Sequence, residues 1–171
     1  MGLEIERKFL LKSLPNREPV EKIDIFQWYL KNSDNVWERA RCCYSDVRGS
    51  FFVHTIKKSI DVGINDEQEK PLSQQQYNQF VDDCKTNQSK FITKTRYIYD
   101  HGNLFWEVDL FTGGHHLIIA EIEIPTIDFN FEIPKFINDK LIMEVTGFKQ
   151  FSNRSLSNKY TKKSKLNQVV L

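Results

Sequence analysis

No stretch of the chain approaches the roughly eighteen consecutive apolar residues of a membrane-spanning helix, and Met1 to Leu11 is charged where a secretory signal would be apolar. Cysteine is sparse. Cys42, Cys43 and Cys84 fit neither the even framework of a secreted disulfide scaffold nor the paired spacing of a zinc site, and they point to a reduced, cytoplasmic setting. Charge of one sign is also missing: 24 Lys and Arg face 23 Asp and Glu, which leaves no overall field to recruit nucleic acid or an anionic membrane. The seven glycines form no phosphate-cradling loop, no strand-Ser-helix elbow is present, and His54, His101, His115 and His116 make no ligand set. Any charge-based function must come from local segregation.

Local segregation is what the chain has. In Glu4-Ile5-Glu6-Arg7-Lys8-Phe9 a strand would place Glu4, Glu6 and Lys8 on one face and Ile5, Arg7 and Phe9 on the other. The same i, i+2 spacing recurs in pairs of one sign: Arg39/Arg41, Glu67/Glu69, Lys94/Arg96, Glu107/Asp109 and Glu121/Glu123. Such neighbours stand about 7 Å apart on one face and repel by about 2 kcal/mol at an effective dielectric near 20. Opposite charge is therefore expected between them. One such pair is ordinary for a wet sheet face, but a merely wet face mixes signs and neutral polar residues.

The remaining pattern is that of an antiparallel meander with one good helix. Ile23 to Leu30 and Val36 to Tyr44 flank the polar turn Asn32-Ser33-Asp34-Asn35, and Phe51 to Lys58 follows Arg48-Gly49-Ser50. Lys12 to Val20 reads as a turn-rich connection and Asp61 to Asp66 as a polar loop before Glu67-Gln68-Glu69, which Pro71 closes. Ser73 and Gln76 form a capping box, with Leu72 and Tyr77 as a hydrophobic staple and Tyr77, Phe80, Val81 and Cys84 as one apolar stripe. Strands continue over Phe91 to Tyr99, Leu104 to Phe111 and His116 to Pro125, with turns at Asp100 to Asn103 and Thr112 to Gly114. The stretch from Asp128 to Asp139 shows no regular pattern. Leu141 to Thr146 is a last strand, Ser152 caps a short helix to Lys159, and residues 161–171 form a basic tail beyond a single domain of residues 1–160. Strands apolar on one side and charged on the other need helices outside, and their charged sides, turned towards each other, line a barrel with a polar lumen.

Carboxylates in quantity, with no Cys/His set, suit Mg²⁺ or Mn²⁺. Arg and Lys in quantity suit several phosphates, Arg by its fork and Lys as a point charge. A lumen holding both suits a metal-bound polyphosphate.

The ordered set formed by Glu4 to Phe9, Trp37-Glu38-Arg39-Ala40-Arg41, Thr55-Ile56-Lys57, Glu67 to Pro71, Lys94-Thr95-Arg96, Glu107-Val108-Asp109, Ala120 to Pro125, Glu144 to Gly147 and Ser152 to Leu156 resembles the CYTH superfamily, the triphosphate tunnel metalloenzymes. The resemblance runs from Glu4 to about Leu156. It implies a mainly β (α+β) fold, an eight-stranded antiparallel β-barrel open as a tunnel with helices packed outside. By position it makes Lys8, Arg39, Arg41, Lys57, Lys94 and Arg96 the phosphate-binding residues. Glu4, Glu6, Glu121 and Glu123 would hold the principal metal, with Glu67, Glu69, Glu107 and Asp109 holding or orienting a second metal and the attacking water. Tyr29 matches a tyrosine that pairs with the motif lysine, here Lys8, so Lys8, Tyr29, Glu107 and Asp109 are the expected catalytic residues. The form of the motifs is most similar to the bacterial single-domain inorganic triphosphatases.

The expected activity is divalent-metal-dependent hydrolysis of inorganic triphosphate to pyrophosphate and phosphate. The alternatives are a class IV-type adenylate cyclase, a thiamine or nucleoside triphosphatase, and a polyphosphate-binding module without chemistry. The expected partner is a small-molecule triphosphate, with neither nucleic acid nor membrane, and a homodimer is compatible with the sequence. Three departures stand out: Trp28 where Gly is usual, Gln150-Phe151 where Arg-Tyr is common, and no acidic helix in residues 128–139. The first two are expected to shape the tunnel's edge and the third only its periphery.

Overall fold

The computed structural model describes residues 2–31, 36–87, 89–112 and 116–159. The expected turns at Asn32 to Asn35 and Gly113-Gly114, His115 and the tail 161–171 lie outside them. Eight strands make the barrel: β1 (Gly2–Leu11), β2 (Glu21–Lys31), β3 (Val36–Ser45), β4 (Gly49–Asp61), β5 (Ile64–Leu72), β6 (Lys90–His101), β7 (Leu104–Phe111) and β8 (Ile118–Glu123). Around the wall they run β6-β2-β3-β4-β5-β1-β8-β7, every pairing antiparallel, and β7 closes on β6. Two short strands extend the sheet: β9 (Leu141–Glu144) on β1 and β10 (Asn158–Lys159) on β6.

Two separate covers bury the outer apolar face. The helix α1 (Gln74–Thr86) lays Tyr77, Phe80 and Cys84 over Trp28, Ala40 and Cys42 of β2 and β3, and its capping box forms as expected, with Gln76 N donating to Ser73 Oγ at 3.2 Å and Ser73 N to Gln76 Oε1 at 2.8 Å. The other cover is the stretch that showed no pattern. Its Phe129, Phe131, Ile133, Phe136 and Ile137, the last two on the one-turn helix α2 (Lys135–Asn138), pack on Phe9, Trp106, Val108, Ala120 and Ile122. Far from peripheral, it seals the β1-β8-β7 side.

Several boundaries differ from the expectation. The supposed loop Asp61 to Asp66 shrinks to Val62-Gly63, because Ile64 joins the core and Asn65 and Asp66 pair with both β4 and β1. Gly63 adopts φ +70, and a Cβ there would lie 2.8 Å from the carbonyl oxygen of Glu6; the turn is held by Glu6 N donating to Gly63 O at 2.9 Å. Pro71 is inside β5 but beyond its pairing with β1, where the strand has a neighbour on one side only and a missing N–H is tolerated. The helix capped by Ser152, α3 (Asn153–Leu156), stops short of Lys159 because Asn158 and Lys159 pair with β6. Trp28 points away from the lumen, 5.2 Å from the Phe91 ring under α1, so its departure alters outer packing and not the tunnel's edge.

Candidate active site

Strand order turns the paired charges into two opposed walls. The contiguous strands β6, β2, β3 and β4 carry Lys94, Arg96, Arg39, Arg41 and Lys57; the other half, β5, β1, β8 and β7, carries Glu67, Glu69, Glu4, Glu6, Glu121, Glu123, Glu107 and Asp109. Among the described residues that line the cavity, Lys8 is the one cation on the acidic wall. Between the walls lies a cavity of ≈ 1090 Å³, and all of these residues except Asp109 line it.

Each cation is held by carboxylates. Lys8 Nζ donates to Glu121 Oε1 at 2.5 Å and lies 3.3 Å from Glu6. Arg39 reaches Glu67 at 2.7 Å, Arg41 reaches Glu69, and Lys57 is shared among Glu4, Glu6 at 3.4 Å and Glu67 at 3.2 Å. Arg96 is gripped on three sides, by Asp109 at 2.7 and 2.8 Å, Glu121 at 3.1 Å and Glu107. Asp109 is wholly buried and also takes the Lys94 ammonium, so it lies behind Lys94 and Arg96 and holds them. Among the described residues the buried Nε donors of Arg39 and Arg41 have no acceptor, which leaves hydrogen-bonding capacity for an anion.

Groups of one wall titrate in opposite senses where their surroundings differ. Burial would raise Glu67, but Arg39 and Lys57 outweigh it and bring the carboxyl down to about 2. Burial also raises Glu4, here reinforced by Glu6 and Glu67 and only partly offset by Lys57, so Glu4 is pushed up to about 7. Glu123 is raised by burial and by Glu107, Glu67 and Glu6. Lys94 is lowered to about 8 by burial and its neighbour Arg96, against the pull of Asp109 and Glu121, whereas Lys8 is raised because Glu121 and Glu6 overcome its burial.

Glu4 and Glu123 thus face more like charge than the lysines neutralise, an environment that favours a cation. Among the described residues no three His, Cys, Asp or Glu side chains converge into a ready-made metal cage. A hard ion such as Mg²⁺ keeps waters and takes one or two carboxylates plus substrate oxygens; the like-charged surroundings of Glu4, Glu6 and Glu123 fit such a role.

Tyr29 is not on the cavity surface. It is buried with Ile92, Phe111 and Ile119, and its hydroxyl accepts from Gln27 Nε2. Burial, the largest influence, raises its pKa. Several site residues escaped the sequence reading. Asn65, on the same face of β5 as Glu67, donates to Glu4 Oε2 at 3.2 Å, and Thr55 donates to Glu69 at 2.8 Å; the i, i+2 parity was the available signal for both. Asn153, which reaches the cavity from α3 with its Oδ1 3.5 Å from Lys94 Nζ, gave no such signal. Arg48 and Glu21, 2.6 Å apart, meet at the mouth. No helix among the described residues is long and apolar enough to cross a membrane.

Comparison with known proteins places this geometry. No protein-family model and no curated protein matches the chain. Solved structures do: that of the inorganic triphosphatase NE1496 is 26% identical, superposes with a TM-score of 0.60 and covers 92% of this chain and 95% of its own. A protein from Pyrococcus furiosus (19% identity, TM-score 0.54, 73% of this chain and 80% of its own) shares the fold, as does one from Bacillus halodurans (13% identity, TM-score 0.50, 100% of both chains). The closed eight-stranded barrel of this chain is thus similar in fold to that of the inorganic triphosphatase NE1496.

Proposed function

We propose that the chain hydrolyses inorganic triphosphate to pyrophosphate and phosphate with the help of Mg²⁺ or Mn²⁺. The observation that carries this reading is the division of the cavity into a basic and an acidic wall. A polyphosphate laid along Arg39, Arg41, Lys57, Lys94 and Arg96 would face Glu4, Glu6 and Glu123 across the lumen. Likeness to a triphosphatase supports it.

Phosphoryl transfer asks a protein mainly for in-line positioning and charge neutralisation. Arg39 and Arg41 supply forked donors, Lys8 and Lys57 point charges, and Asp109 keeps Lys94 and Arg96 aimed into the lumen. When bound, a divalent cation supplies charge neutralisation on phosphate oxygens and a water of lowered pKa. Glu67, Glu69 and Glu107 would accept hydrogen bonds from the attacking water, while Tyr29, buried among Ile92, Phe111 and Ile119, would act from beneath the cavity and not on its surface. The setting proposed is cytoplasmic, which the free thiols of Cys42, Cys43 and Cys84 suit.

The mouth supports a second reading. Leu3, Val20, Val47, Leu104 and Phe105 rim it, apolar side chains that would suit the organic group of a nucleoside or thiamine triphosphate. Phosphate release from inorganic triphosphate, ATP and thiamine triphosphate, with Mg²⁺, Mn²⁺ or chelator, decides. Fastest metal-dependent release from inorganic triphosphate is expected; release confined to ATP or thiamine triphosphate favours the second reading, and cyclic AMP in place of phosphate defeats both.

A further inference from the structure

The lumen changes character towards one end. On β6, Ile92 precedes Lys94 on the same face; on β7, Phe111 follows Asp109; on β8, Ile119 precedes Glu121; on β2, Tyr29 lies opposite Arg39 of β3. These four inward-facing residues are 6%, 3%, 1% and 0% exposed for Tyr29, Ile92, Phe111 and Ile119, and they pack together as one cluster inside the barrel. Leu117, Phe151 and Leu156 pack against the same cluster. Alongside, the Arg154 guanidinium lies 3.6 Å from the Trp37 ring centroid, and Trp37 shares its face of β3 with Arg39. At the opposite end Leu3, Val47 and Phe105 line the cavity with 61%, 67% and 60% exposure. One end is an open mouth. The other is a packed apolar floor with Lys94 and Asn153 just above it.

We infer that the cavity is blind and takes its substrate end first, a terminal phosphate at the Lys94–Asn153 floor and the rest of the molecule directed to the mouth. This rests on the proposed phosphate-binding role of the basic wall. Water and ions are poorly accommodated among packed Ile, Phe and Leu side chains, so a charged phosphate chain has no way through. The substrate class is then any molecule with a free, unbranched polyphosphate end. A long polyphosphate is held only by its ends and never threaded, and both products of cleavage leave through the mouth by which the substrate entered.

The test is a competition. Initial rates of inorganic triphosphate hydrolysis are measured against linear polyphosphates of increasing length, with the divalent cation in excess of total phosphate so that chelation does not contribute. End-first entry predicts equal inhibition per chain end, so that potency per phosphate falls in proportion to chain length. Potency constant per phosphate, or no inhibition at all, overturns it. Should inorganic triphosphate not be hydrolysed, the proposed activity falls while the blind cavity is still tested by light scattering with long polyphosphate: at most two protein molecules per chain are expected, and several per chain, or none, overturn it.

Discussion

Asp109 has no solvent-exposed surface and gives both oxygens to Arg96 and Lys94. Replacing it with Asn leaves two buried cations short of their counter-charge, a class of change that costs about 3–5 kcal/mol; a urea denaturation midpoint should fall accordingly, and KM should rise as Lys94 and Arg96 lose their anchor. An unchanged midpoint would mean that Asp109 holds nothing. Glu4 makes a different prediction. Its folded-state pKa is raised from 4.5 to about 7, so the folded protein binds that proton more tightly than the unfolded chain, and the stability it contributes is full below 4.5 and lost as pH rises through about 7. Mg²⁺ or Mn²⁺ competes with that proton and should raise Tm more above pH 7 than near pH 5; equal shifts at both would argue against a cation at Glu4. Glu4→Gln and Glu123→Gln should abolish turnover with the circular dichroism of the barrel intact. At this scale the sequence showed faces but not depth: parity put Glu107 and Asp109 on the same side, yet one lines the cavity and the other is enclosed behind it.

Elements separate stability from chemistry. Ser73→Ala removes the α1 cap and should cost about 1 kcal/mol without touching kcat, since α1 lies wholly outside the lumen. Gly63→Ala should do both kinds of damage: φ +70 is strained for alanine and the new Cβ meets the Glu6 carbonyl, a cost of about 1–3 kcal/mol with loss of activity through a displaced Glu6. Activity retained alongside a lowered Tm would show that Glu6 tolerates the shift. The helix α1 was legible because its capping box and its i, i+3, i+4, i+7 stripe agree. The cover from Phe129 to Ile137 was not, because an irregular segment can bury five apolar side chains without any period. Residues 64–66 were hidden for a third reason: Asn65 and Asp66 are polar, and only their pairing with two strands at once makes them part of the sheet.

At the level of the whole molecule, alternation and turn spacing indicate a meander, but closure depends on neighbours remote in sequence, β1 between β5 and β8 and β6 between β2 and β7. A period of two assigns sides of a strand and says nothing about who stands beside it. That missing information is also what sorts the charges into walls. The two walls have a thermodynamic consequence. Before any ligand arrives, the cations are already occupied by carboxylates from nearby strands of the barrel wall, so binding of either ion is an exchange of partners. An anion that draws Arg39 or Lys57 away leaves Glu67 or Glu4 with uncompensated charge, and a cation does the converse. Each ligand therefore prepares the site for the other, and their affinities are reciprocally linked: titration calorimetry should find a divalent cation tightening the binding of a non-hydrolysed polyphosphate, and the polyphosphate tightening the cation, by the same factor, about 5- to 150-fold. A lumen of this kind behaves as a salt receptor, selective for the ion pair over either ion alone.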